Sequence, residues 1–198
     1  MAEYIEDLDE SSNFKSVFKL LPQYEPNIKQ HLVARVAVSL TNSGVTRQLW
    51  HIPSGHGKSR TILALGIYFK EHGFNDIVVA FSNEFLLKRD KTFIEKLWKH
   101  AKIDARFVNV GQYGLLDSGI FNKEHTVYIM DEVDQLLTDA RIMPIQSCIY
   151  IGLTATPTDF LDNTDTHQQS ILDLWGYKVL RTGDESHHRD PDVVIEYA

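Results

Sequence analysis

The sequence has 198 residues, 43% hydrophobic and 24% charged, the make-up of one ordinary globular domain with a filled core, which excludes disordered and fibrous classes. No apolar run approaches the roughly 18–20 residues that span a membrane, and residues 1–12 are acidic without the apolar stretch of a secretion signal. A net charge of −7 argues against a surface coated for tight binding to a phosphate backbone, although backbone amides and a few local cations can still grip a strand.

Cys148 is the single cysteine, so no internal disulfide is possible, and a reducing compartment inside the cell (cytoplasm or nucleus) is expected. Residues 1–25 read as an extension packing on the core, with Phe14, Val17, Phe18 and Leu21 at helical spacing. Residues 26–181 read as the main domain and residues 182–198 as a polar tail or linker. Within the domain, residues 30–40 carry Leu32, Val33, Val36, Ala37 and Leu40 on one helical face, and the run Thr41 to Gly44 ends that helix.

A short apolar strand over 48–52 comes next, then a helix over 58–71, a strand over 76–81 and a Lys- and Leu-rich helix over 84–102. Residues 107–110, 126–130 and 148–153 read as further strands. Continuous apolar strands separated by helices predict an α/β fold, a mostly parallel sheet with helices on both faces. Such folds bind ligands beyond the C-terminal ends of their strands.

Strand 48–52 runs into Pro53, Ser54, Gly55, His56, Gly57, Lys58 and Ser59, with Arg60 opening the helix. Gly55 and Gly57 permit backbone angles that let several N–H groups converge on phosphate oxygens, and the helix N-terminus adds positive potential. Lys58 is expected on the β- and γ-phosphates of a nucleotide, and the Ser59 hydroxyl on Mg²⁺. His56 reads as a solvated filler. A glycine turn that merely caps a helix would give the same triplet.

The strand over 126–130 ends in Asp131, Glu132, Val133 and Asp134. Adjacent acids on a buried strand end are costly unless a cation meets them. Asp131 is expected to hold Mg²⁺, and Glu132 to orient or deprotonate a water. A helix-capping cluster is the plainer alternative. Thr154, Ala155 and Thr156 close another strand, where two hydroxyls are suited to bridging Asp134 to the phosphate region; an ordinary strand-end turn would look the same.

Together, residues 52–59, 131–134 and 154–156 resemble motifs I, II and III of superfamily 2 helicases, in order and spacing, and the resemblance runs from about residue 30 to 175. It implies a RecA-like ATPase motor domain using ATP and Mg²⁺, acting on RNA or DNA. Gln30 stands where the family reads adenine. Phe81, Ser82 and Asn83 stand where motif Ia contacts a nucleic-acid backbone, and Val110, Gly111, Gln112 and Tyr113 where motif Ib does. Residues 83–90 and 131–141 also resemble the SecA motor, which makes a polypeptide the alternative substrate.

The family places ATP between two RecA-like domains, and the second supplies catalytic arginines. A second such domain, in cis or in trans, is therefore an expected partner, and this chain alone is expected to turn ATP over slowly. Neither a membrane span nor a structural metal is expected; His187 and His188 lack matching ligand spacing.

Overall fold

The computed structural model describes residues 22–109, 126–133, 148–155 and 178–181. A short 3₁₀ turn, Pro22–Tyr24, precedes helix α1, Ile28–Asn42. Strand β1, Arg47–His51, leads through a loop to α2, Lys58–Glu71. Strand β2 (Ile77–Phe81), helix α3 (Glu84–His100) and strand β3 (Ala105–Asn109) follow. Strands β4 (Val127–Asp131), β5 (Ile149–Thr154) and β6 (Lys178–Arg181) complete the described elements. The six strands form one sheet in the order β3-β2-β4-β5-β1-β6, and every pairing is parallel.

The element types match the sequence expectation, and the ends differ for identifiable reasons. Helix α1 begins at Ile28 rather than Gln30 because Asn27 caps it: its side chain accepts from the N–H groups of Lys29 and Gln30, while Gln30 Oε1 accepts from Asn27 N–H. Strand β6 was not anticipated, since residues 178–181 offer only Val179 and Leu180 as apolar signal. It lies at the sheet edge beside β1. The extension over 1–21 and the tail over 182–198 lie outside the described residues.

Both faces of the central strands are buried, as a parallel sheet requires. One face carries Trp50, Val79, Phe81, Ile129 and Ile151 into a core completed by α1, α2 and α3. The other presents Leu49, Val78, Ala80 and Met130, with Tyr128 and Tyr150 stacked at 5.0 Å. Buried Gln48 fixes β1 to α1 by donating to Ala37 O (2.9 Å) and Thr41 Oγ1 (3.0 Å), and it accepts from Trp50 Nε1 (3.1 Å). With these partners the amide does not bear the cost of an unsatisfied buried polar group. Helices α2 and α3 meet where Trp98 packs against Gly66, and its indole N–H donates to Leu63 O (3.1 Å).

His31 on α1 sits beside Tyr68 on α2, with Tyr68 Oη 3.4 Å from His31 Nδ1. Burial pushes its pKa down from 6.5 to about 4, against a smaller opposing effect of a bond to the Pro26 backbone. A histidine depressed on folding binds more protons unfolded, so its neutral form supports the fold fully above pH 6.5, and that support is lost as pH falls toward 4. His31→Gln is therefore expected to flatten the loss of thermal stability between pH 6.5 and 4. An unchanged acid limb in melting curves would count against this assignment.

Candidate nucleotide site at the strand ends

The loop between β1 and α2 closes on itself through a turn, His56 N–H to Pro53 O (3.1 Å). Gly55 and Gly57 both have φ of 81°, a region that side chains rarely enter. Gly57 is doubly constrained, because a Cβ there would collide with the Gln30 amide. Helices α1 and α3 are capped by the side chains of Asn27 and Asn83, whereas α2 starts on Gly57 with no side-chain cap. The N–H groups of Arg60 and Thr61 turn back to Gly57 O (2.9 and 3.1 Å), which leaves those of Lys58 and Ser59 for another acceptor at the positive end of the helix dipole.

Strand β5 stands between β1 and β4, so the loop and the β4 carboxylates are two strand spacings apart, roughly 10 Å. Lys58 bridges that gap: its Nζ lies 2.7 Å from Glu132 Oε1, with both side chains largely shielded. Glu132 holds a left-handed backbone, φ 50°, uncommon for a residue with a side chain and costing on the order of 1 kcal/mol. Val133 follows, fully buried and packed on Gly152 of β5, where any side chain would press on its methyls. That packing anchors the turn that aims Glu132 at Lys58.

Asp131 is 1% exposed, and among the described residues its Oδ1 has no hydrogen-bond partner. Burial, then the adjacent Glu132 charge, push its pKa from 3.8 up to about 6, while Lys58 pulls the other way. Its charge also feels Asp90 and Arg89, so β4, the loop and α3 converge on one spot. A buried carboxylate oxygen without a partner is costly unless a counter-charge meets it. Among the described residues no group of three or more His, Cys, Asp or Glu side chains is placed to hold a metal ion.

Ser59 Oγ donates to Asp90 Oδ2 at 2.6 Å. Asp90, on α3 and 3% exposed, escaped the sequence reading because its neighbours Lys88, Arg89 and Lys91 make the segment look like a solvated face. Arg89 donates from Nε to Asp90 Oδ1 (2.7 Å) and from Nη2 to Oδ2 (2.8 Å). Lys88 pairs with Glu84 in the open.

On the other side of the loop, a cavity of about 450 Å³ opens between it and α1, lined by Gln30, Val33, Ile52, Pro53, Arg60 and Thr61 among others. Gln30 is buried and donates to His56 O (2.9 Å) and Gly57 O (3.3 Å). Its carbonyl is taken by the α1 cap, so in this conformation the amide holds the loop rather than offering an edge to a base. Arg60 turns back to Gln23 O (3.1 Å). His56 and Ser54 are exposed.

Thr154 is buried at the end of β5, and its carbonyl accepts from Ile52 N–H (2.8 Å), tying the two strand ends together. Ser82 is buried and accepts from Asn83 Nδ2 (3.3 Å), while Asn83 caps α3. Asp134, Thr156, Gly111 and Gln112 lie outside the described residues.

The parallel order and the interleaved helices define an α/β fold of the helicase RecA-like type. Among solved structures, the helicase domain of Hef from Pyrococcus furiosus matches with a TM-score of 0.52 at 16% identity, over 82% of this chain and 39% of that one. The UvsW helicase from bacteriophage T4 matches with a TM-score of 0.45 at 11% identity, over 79% of this chain and 60% of that one. This chain thus spans about two fifths of the Hef structure. No family model and no curated protein matches the sequence. Among the described residues no helix is long and apolar enough to cross a membrane.

Proposed function

We propose that this chain is the ATP·Mg²⁺-binding half of a helicase-type motor, acting on RNA or DNA together with a second RecA-like domain in cis or in trans. The observation that carries the reading is the Lys58–Glu132 pair at 2.7 Å beside the unpartnered, buried Asp131. An uncapped helix start, a shielded cation and a carboxylate in need of counter-charge match the three parts of a Mg²⁺-nucleotide.

The loop from Pro53 to Ser59 would wrap the phosphates with backbone N–H groups, and Lys58 would move from Glu132 to their oxygens. Ser59 and Asp131 would hold the metal, Asp131 through water. Bound Mg²⁺ would neutralise charge on the transferring phosphoryl group. Glu132, released from Lys58, would orient the attacking water and accept its proton. Thr154, joined by its carbonyl to Ile52, gives phosphate occupancy a path into β5 and the segment after it. Ser82 and Asn83, at the end of β2, remain the proposed contacts to the polymer backbone.

Titration with a fluorescent ADP analogue tests the site directly. Binding should be tighter with Mg²⁺ than in EDTA, and Lys58→Ala should weaken it by about 10–100-fold, since a charge-assisted phosphate contact is lost. Equal affinity with and without Mg²⁺, or unchanged affinity in Lys58→Ala, would overturn the reading. Stimulation of ATP hydrolysis by RNA or DNA, and not by unfolded polypeptide, would decide the polymer.

A further inference from the structure

A hydroxyl has one proton to give and two lone pairs to offer, and what it presents to a ligand depends on which of these is already used. The single proton of Ser59 is committed to Asp90 Oδ2 at 2.6 Å, a short contact of the charge-assisted kind. Asp90 lies 31 residues away on a different helix and is 3% exposed. Its carboxylate takes three hydrogen bonds: Oδ1 accepts from Arg89 Nε, and Oδ2 from both Arg89 Nη2 and Ser59. With its proton turned toward α3, Ser59 can only accept, so toward the phosphate side it offers lone pairs to a cation rather than a hydrogen bond to an anion.

Arg89 completes the arrangement. Its guanidinium is held charged, above all by the bond to Asp90, and it also feels Asp131 and Glu132. It therefore compensates the third carboxylate, so that Asp90 can polarise Ser59 without adding an unbalanced charge beside Asp131.

We propose that Asp90 is a positioning residue for the divalent cation: it fixes Ser59 as an acceptor and thereby sets how tightly the nucleotide-bound metal is held. The proposal rests on the nucleotide reading above and assigns the metal affinity of that site to a residue on α3.

The test measures affinity for the fluorescent ADP analogue in excess Mg²⁺ and in EDTA, and Mn²⁺ affinity of the ADP-bound protein by electron paramagnetic resonance. The variants are Ser59→Ala, Asp90→Asn, Asp90→Ala and the Ser59→Ala/Asp90→Asn double. Asp90→Asn keeps the shape of the side chain, and each variant is compared with the parent by circular dichroism melting. Asp90→Asn should weaken Mn²⁺ binding about 10–100-fold, the usual effect of losing a partner that orients a ligand. Its affinity in EDTA should match the parent. The double variant should bind metal no worse than Ser59→Ala alone, because Asp90 acts through that hydroxyl.

An equal loss in EDTA and in Mg²⁺ would show that Asp90 merely supports the loop, and additive losses in the double variant would show that it does not act through Ser59; either overturns the proposal. Should both Asp90 variants unfold, Ser59→Ala still decides: unchanged Mn²⁺ affinity there removes the basis of the proposal. A parent protein with no Mg²⁺-dependent binding would instead overturn the nucleotide reading itself.

Discussion

Asp131→Asn should make the nucleotide-free protein more stable at pH 7.5, by about 1–3 kcal/mol, while removing the Mg²⁺-dependent part of nucleotide binding. The carboxylate is 1% exposed, has an oxygen without a partner, and titrates at about 6 rather than 3.8. An acid whose pKa rises on folding burdens the native state fully above its folded value. The burden shrinks as pH falls through 6 and vanishes below 3.8, a sign opposite to that of His31. The amide has the same shape without the charge, and its own imperfect satisfaction offsets part of the gain. Urea unfolding of both proteins at pH 7.5 and pH 4 measures the effect. A less stable Asn variant at pH 7.5 would mean that the carboxylate is already compensated, and the case for a missing cation would fall with it. On the proposed reading, so costly a group is kept because a bound cation would offset it.

The second large effect is expected at Gly66. Helix propensity alone favours replacing a mid-helix glycine with alanine, by about 1 kcal/mol. Here the steric term opposes it and is larger. A Cβ at Gly66 would enter the ring of Trp98, which is 1% exposed and held in place by its bond to Leu63 O at 3.1 Å. Overpacking of this kind costs about 1–3 kcal/mol for one methyl, and a branched side chain costs more. Gly66→Ala should thus lower the melting temperature, and Gly66→Val should prevent a cooperative transition. Trp98→Phe should recover part of the loss in the alanine variant, because it vacates the volume that the methyl needs. A rise in melting temperature for Gly66→Ala would show that α2 and α3 are not in close contact. Because Asp90 lies on α3 and Ser59 on α2, this contact also sets the distance between them.

The parallel sheet was readable because β2, β4 and β5 are each a near-continuous apolar run, and the loop because two glycines and a Lys-Ser pair stand between a strand and a helix. The carboxylates at 131 and 132 were readable from their place at the end of such a run. Asp90 was not, since nothing in an amphipathic, lysine-rich helix marks one acid as turned inward; that depends on where α3 settles against α2. The second job of Gln30 was equally hidden: its place in the chain suggests a base reader, but the capping box and the two carbonyls of the loop use up its amide. Strand β6 owes its place to an open edge on β1 rather than to its own four residues.

The ion pair between α2 and the end of β4 has a consequence for how a nucleotide would arrive. The ammonium is not waiting in solvent; an internal anion already occupies it, and that anion sits on a turn with an unfavourable backbone angle. Entry of a triphosphate would be a swap of one negative partner for another, so part of the gross attraction is spent on the exchange. On the proposed reading the swap would yield timing: the carboxylate proposed to take the later proton stays paired with Lys58 in the empty protein and would be let go by the arrival of the molecule it would act on.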